Sequence, residues 1–489
     1  VKKYSFKRVS FAYPFLVLII FSHFSFAQSN FLPTSSELRA YNHVWRLDLQ
    51  RATAALSNSK DPSSLYFAHF TEFVDLMVNE DVEQFDAYED NFEDRLQAIS
   101  KIKDKSPYRK FYLSQMHLHW SFVYMKMGHE FSSAWQLKKA FKISQQNADE
   151  NPDFMPQQYN LGILQVMLGA VPEKYHWLLG LFGMKESFEE GVLRLDLAAR
   201  TQHVFQYEAS CVRNLVDGFM LNKREGAIQS TEKLLFRNKD FALVEFLYLS
   251  LLLKNNAAKE AHQYMQGVQS FKAPIFYYIA GEFHMQRLNF KKAILSYNAF
   301  LNSYKGLNNI KDAYYKIGLA YKLMGYDANF GKYHEKAKVS GLSRTESDKY
   351  ADKQLKVAFD QNLVLLRARF LTDGGYYQLA LEELKGVQLK NIVGLKNQTE
   401  YFYRKARIFH KLKNSLEAER FYRKTITHQG GNPWYFAPNA CLQLGYLHVA
   451  QKDFRTAKIY FTKALAYKKH EYKNSIDNKA KSAINLLPD

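Results

Sequence analysis

Side chains able to do chemistry are present, but their spacing assembles no reaction centre. His117 and His119 stand two residues apart. On a helix that offset turns them about 200° from one another, so they read as core or rim histidines and not as paired metal ligands. Cys211 and Cys441 both fall within helical patterns and read as small buried residues, too few to staple 489 residues by disulfides. Asp81, Glu83, Asp86, Glu89, Asp90 and Glu93 read as one solvated acidic face, and nothing marks among them the carboxylate pair a glycoside hydrolase needs. No GxSxG, P-loop, GxGxxG or HExxH motif occurs. The expectation is a non-enzyme with no cofactor and no metal.

Composition points the same way. With 47% hydrophobic and 24% charged residues the chain can bury a large core, and 33 Tyr and 38 Phe make that core aromatic. The formal net charge is +19. It is spread along the chain without an RNA-binding or zinc-finger signature, so the reading excludes nucleic acid as a partner; the charge reads first as solubility charge on solvated helix faces, with an anionic lipid or polysaccharide as the alternative electrostatic partner.

Residues 1–27 carry Lys2, Lys3, Lys7 and Arg8, then an apolar run from Phe11 to Phe21, then Ser25-Phe26-Ala27. This is the three-part pattern of a secretory signal peptide, cut before Gln28. No cysteine follows the cut, which argues against a lipoprotein. The expected location is therefore periplasmic or envelope-associated.

The elements are helical and repeat. Small residues at Gly281 and Gly318 lie 37 apart, Ala368 and Ala406 lie 38 apart, and Ala406 and Gly445 lie 39 apart. Second small residues follow at Ala293, Ala418 and Ala457, with aromatics trailing at Tyr297, Tyr422 and Phe461. Such a period marks stacked helical hairpins in which one small residue admits the partner helix and aromatics fill the groove to the next unit. The segment Ser340–Asp348 reads as a polar insertion. These residues resemble the tetratricopeptide repeat family, although Phe330 stands where a small residue is expected and the units run longer than usual. A shorter run with Gly162, Leu168, Pro172, Leu181 and Gly191 resembles the inclusion-body clearance family of tetratricopeptide-like proteins. Read from its residues alone, it is a tight helical hairpin that uses glycine for close approach.

The expected fold is all-α, a right-handed α–α superhelix of antiparallel helix pairs. Residues 28–270 form a divergent N-terminal part, continuous with clearer repeats over 271–489. Helical spacing places Tyr278, Glu282, Tyr315, Lys322, Tyr403, Arg407, His410 and Tyr446 along a concave groove. Tyrosine suits recognition because it offers a broad face and a hydroxyl at small entropic cost. A competing reading packs the same rings between repeats. The favoured function is an adaptor that binds a protein or peptide partner in the cell envelope. The alternatives are a glycan-binding protein of the starch-utilisation D type and an envelope polysaccharide enzyme.

Overall fold

The computed structural model describes residues 31–59, 61–169, 188–268 and 270–488. The signal segment and the centre of the 160–191 hairpin lie outside the described residues. Among those described, helices and turns occur and strands do not. The helices are α1 (Ser35–Trp45), α2 (Leu49–Leu56), α3 (Pro62–Asn79), α4 (Phe85–Lys101), α5 (Pro107–Met127), α6 (Glu130–Glu150), α7 (Met155–Gly169) and α8 (Phe188–Arg200). They continue with α9 (Gln206–Phe219), α10 (Arg224–Arg237), α11 (Ala242–Lys254), α12 (Ala258–Met265), α13 (Pro274–Gln286), α14 (Phe290–Ser303), α15 (Ile310–Leu323) and α16 (Asp327–Val339). The last are α17 (Glu346–Leu355), α18 (Leu363–Asp373), α19 (Tyr377–Glu383), α20 (Leu395–Lys411), α21 (Ser415–Gln429), α22 (Phe436–Ala450), α23 (Phe454–Ala466) and α24 (Lys473–Asn485). Consecutive helices pair as antiparallel hairpins, and each hairpin stacks on the next, so the chain is a tetratricopeptide-like α-solenoid.

One turn recurs. Leu47, Gly128, Asn222, Asn256, Leu288, Gly325, Gly375, Lys413 and Lys452 all have positive φ, and each stands two residues before the second helix of its hairpin. The amide that follows commonly reaches back five residues, as in Asn289 N to the His284 carbonyl at 2.8 Å and Asp453 N to the His448 carbonyl at 2.9 Å. This closing bond satisfies an orphan carbonyl at the end of the first helix. The interval between Gly325 and Gly375 is lengthened by α17. The segment expected as a polar insertion is therefore partly helix: Thr345 caps α17, and the buried Asp348 accepts from the backbone N–H groups of Asn309 (2.7 Å) and Asp312 (3.0 Å), capping α15.

The small residues admit rings more than helices. A Cβ on Gly281 would stand 2.6 Å from the Tyr297 ring, and Phe461 occupies the same notch against Gly445. The trailing aromatics thus fill a groove inside their own hairpin, not between hairpins. Gly318 differs, since its nearest neighbours would be 3.6 Å away. Gly281→Ala is expected to cost about 1–3 kcal/mol through overpacking, whereas Gly318→Ala is expected to be neutral or stabilising by about 0.5–1 kcal/mol through helix propensity. Urea unfolding of the two variants checks this contrast, and equal losses would refute it. Gly162 and Gly191 make the expected close approach: a Cβ on Gly191 would stand 2.8 Å from the Val166 amide nitrogen and 2.9 Å from the Gly162 carbonyl oxygen.

The N-terminal core is aromatic and contains the histidines. His119 lies flat against Phe73, ring centroids 4.1 Å apart, and its Nδ1 is 3.2 Å from His69 Nε2. His117 Nδ1 meets Gln136 Oε1 at 2.6 Å. Burial pushes the pKa of His119 down to about 3 and, against the Gln136 hydrogen bond, that of His117 down to about 4. The folded values lie below the unfolded one, so stability is intact at neutral pH. It falls once the unfolded chain takes up protons below about pH 6.5. For His119 the loss between about pH 6.5 and 5 is expected to be about 2 kcal/mol. Denaturation at both pH values should show a flatter dependence for His119→Phe; an unchanged slope would refute the assignment.

The superhelix closes on itself. α13 packs against α3 and also against α18, and α1 reaches α11. Lys305 Nζ binds Asp81 at 2.8 Å, Asn308 Nδ2 donates to Glu80 at 2.8 Å, and Asn256 Nδ2 donates to the Asp373 carbonyl at 2.6 Å. Asp81 is consequently buried and not part of the expected acidic face, whereas Glu83, Asp86, Asp90 and Glu93 remain exposed. Cys211 and Cys441 are buried free thiols, and burial, first among the causes, pushes Cys441 up to about 12.

Candidate functional site: the inner wall of the superhelix

Two recesses bring several helices together. The first is an apolar cavity of about 830 Å³ between α1, α3, α9, α11 and α13. Phe70, Phe73, Leu215, Phe219, Phe246 and Ile279 contribute to its walls. Leu215 is 44% exposed and Phe219 41%, so hairpin packing leaves them uncovered. Glu208 lies at its floor, accepting from Tyr41 OH (2.7 Å) and Tyr159 OH (2.6 Å). Burial raises the pKa of Glu208, and the two phenols offset this in part. Lys126, which binds Glu80 at 2.7 Å, and Lys254 also line the cavity. No described group of His, Cys, Asp and Glu has the arrangement to hold a metal ion.

The second recess, about 370 Å³, lies between α18, α20, α22 and α24. Arg369, Arg404, Arg407 and Lys479 line it together with Tyr403, Tyr435 and Tyr472. An adjoining pocket shares Arg369 and Tyr472 and includes Tyr315, Lys316 and Tyr350. Arg404 binds Glu400 at 2.7 Å and donates to Tyr435 OH at 3.1 Å; Arg369 donates to Tyr350 OH at 2.8 Å.

The residues expected along one groove are distributed differently. Tyr278, Tyr315 and Tyr403 are buried, at 8%, 2% and 3% exposure. Tyr278 OH donates to Asp312 at 2.6 Å, Tyr315 OH accepts from Gln361 at 3.1 Å, and Tyr403 packs against Tyr435 and Phe436. Packing between repeats therefore holds these three rings, because each hydroxyl or face finds its partner on the following unit. Glu282 binds Lys316 at 2.6 Å and accepts from Tyr297 OH at 2.5 Å, so it too serves the stack. Lys322 pairs with Asp327 at 2.7 Å at the turn of its own hairpin. His410 Nδ1 meets Tyr422 OH at 3.1 Å, and burial, reinforced by Arg407 and Lys411, pushes its pKa down to about 4. Tyr446 is 37% exposed and rests on Phe461. Of the eight, Tyr403 and Arg407 share the basic recess, Tyr315 lines the pocket beside it and Tyr278 the apolar cavity.

The apolar cavity was not anticipated. Its signal is in α11, whose sequence ALVEFLYLSLLLK is apolar on nearly every side and exceeds what one hairpin contact can cover.

No family model matches the chain, and no curated protein matches it. Among solved structures, the human IFIT1 dimer with m7Gppp-AAAA aligns over 89% of this chain and 95% of its own, at 12% identity and TM-score 0.35. The APC/C hetero-tetramer Cut9–Hcn1 aligns over 92% of this chain and 89% of its own, at 12% identity and TM-score 0.29. Yeast Tom70 aligns over 91% and 87%, at 14% identity and TM-score 0.25. No described helix is long and apolar enough to cross a membrane.

Proposed function

We propose that this protein is a non-catalytic, exported adaptor that holds a protein or peptide partner of the cell envelope against the concave wall of its superhelix. The observation that carries the reading is the apolar cavity, in whose wall Leu215, Phe219 and Phe246 remain accessible beside Phe70, Phe73 and Ile279. Contiguous uncovered apolar surface of this kind favours a partner that brings aliphatic or aromatic side chains of its own. Export is the reading of residues 1–27, and deletion of that segment should leave the protein inside the cell on fractionation.

A photo-crosslinking residue placed at Phe219 or Phe246 is expected to capture a discrete protein in intact cells. The same residue at Leu416, 79% exposed on a hairpin far from the cavity in sequence, should not. Capture from Leu416 alone, or no protein adduct from either cavity position, would overturn the reading.

A further inference from the structure

The last tandem hairpin carries charge without counter-charge. From Phe454 to His470 the sequence holds Arg455, Lys458, Lys463, Lys468 and Lys469 and no Asp or Glu. α23 buries Ala457, Tyr460, Phe461 and Ala464, so Arg455, Lys458, Ile459 and Lys463, at intervals of three and four, share the opposite face. All five cations are exposed, and Ile459 in their midst is 58% exposed. Lys468 and Lys469 continue the charge past the C-terminal end of the helix. None of the five makes a hydrogen bond or ion pair with a described residue.

The acids nearby are already engaged. Asp453 caps α23, accepting from the Thr456 backbone N–H at 3.1 Å, and stands 3.3 Å from His448 Nδ1. Arg423 of α21 lies over the Tyr460 ring, 5.5 Å from its centroid, which sets α21 beside α23. There Glu417 binds Arg420 at 2.8 Å and Glu419 binds Arg423 at 2.6 Å. Glu471, just beyond the basic run, binds Lys353 at 2.5 Å. Like charges three and four apart on a helix repel, and a face kept only for solubility mixes both signs. An anionic surface laid on this stripe supplies the missing counter-charge.

The chemistry of the stripe narrows what that surface is. The two aromatic rings in the body of the helix, Tyr460 and Phe461, are buried, so the exposed stripe presents no ring on which a sugar or a base could stack. It presents long apolar stems ending in cations around one exposed aliphatic side chain. We infer that this face of α23 docks peripherally on a bilayer of anionic phospholipid, with Arg455, Lys458 and Lys463 meeting lipid phosphates and Ile459 entering the headgroup boundary. Lys468 and Lys469 add attraction at the end of the helix. The contact is peripheral because α23 has 13 residues and no described helix is long and apolar enough to cross a membrane. It is independent of the adaptor reading, since no residue of α23 lines the apolar cavity.

The test uses the chain from Gln28 onward, which contains every described residue, in flotation with phosphatidylcholine vesicles with and without phosphatidylglycerol. Binding is expected only with phosphatidylglycerol and should weaken as salt is raised. Each cation near such a surface contributes about a fivefold factor in affinity, so Arg455→Gln/Lys458→Gln/Lys463→Gln should lower it about a hundredfold. Lys332→Gln/Lys336→Gln/Lys338→Gln on α16 removes the same charge from other exposed positions and should change it less than about threefold. The fluorescence of an Ile459→Trp variant should shift to the blue on adding the anionic vesicles. Absence of binding to phosphatidylglycerol, equal losses in the two triple variants, an unshifted spectrum, or binding to polygalacturonate without binding to vesicles would each overturn the inference.

Discussion

Lys316→Met is expected to lower the unfolding free energy by about 3–5 kcal/mol, the range for a buried ion pair that loses one member. Lys316 lies between Asp312 (2.7 Å) and Glu282 (2.6 Å), and Asp312 is 1% exposed. Burial alone would lower the ammonium pKa, but the two carboxylates more than offset it and hold it above the ordinary lysine value. Tyr278 and Tyr297 complete the set by donating to Asp312 and Glu282. Methionine fills the space of the lysine stem but leaves two carboxylates that must remain buried or take up protons. Urea denaturation at neutral pH measures the loss. Adding Asp312→Asn should recover part of it, because a neutral amide no longer needs the cation. A loss below about 1 kcal/mol would place this cluster with solvated surface pairs.

Glu80→Ala is expected to cost about 3 kcal/mol and, more tellingly, to loosen the superhelix. Glu80 is 4% exposed at the end of α3, with φ 51°, and receives Lys126 Nζ at 2.7 Å and Asn308 Nδ2 at 2.8 Å. These bonds tie a turn of the N-terminal part to the loop before α15. Removing the carboxylate leaves Lys126 without its charge partner and frees the loop. Hydrogen exchange should then accelerate around residues 304–309 while the hairpins keep their protection, and the radius of gyration should grow. Faster exchange spread evenly over all hairpins would show instead that Glu80 supports only local packing.

Much of the architecture was legible because it is local. Small residues at 281, 406 and 445 and the aromatics sixteen places on report contacts within one hairpin, and the structure contains those hairpins. The left-handed turn residue was harder to see. Gly128, Gly325 and Gly375 announce it, but Leu47, Leu288, Lys413 and Lys452 take the same conformation because the closing hydrogen bond stabilises it regardless of side chain. Tyr297 sits on Gly281 within one hairpin where spacing alone suggests a contact between hairpins, since spacing along a helix does not say which of two adjacent grooves a ring enters.

Sequence alone determined the helical class, the hairpin period, the close approach of Gly162 and Gly191 and the burial of both cysteines, all of which follow from the order of residue types over a few turns. Tertiary structure alone decided that Tyr278, Tyr315 and Tyr403 turn into the stack, that Asp81 meets Lys305, and that Asn256 reaches the Asp373 carbonyl. The physical reason is cumulative: each hairpin adds a small rotation to the one before, and only the sum of those rotations, absent from any local pattern, brings distant repeats into contact.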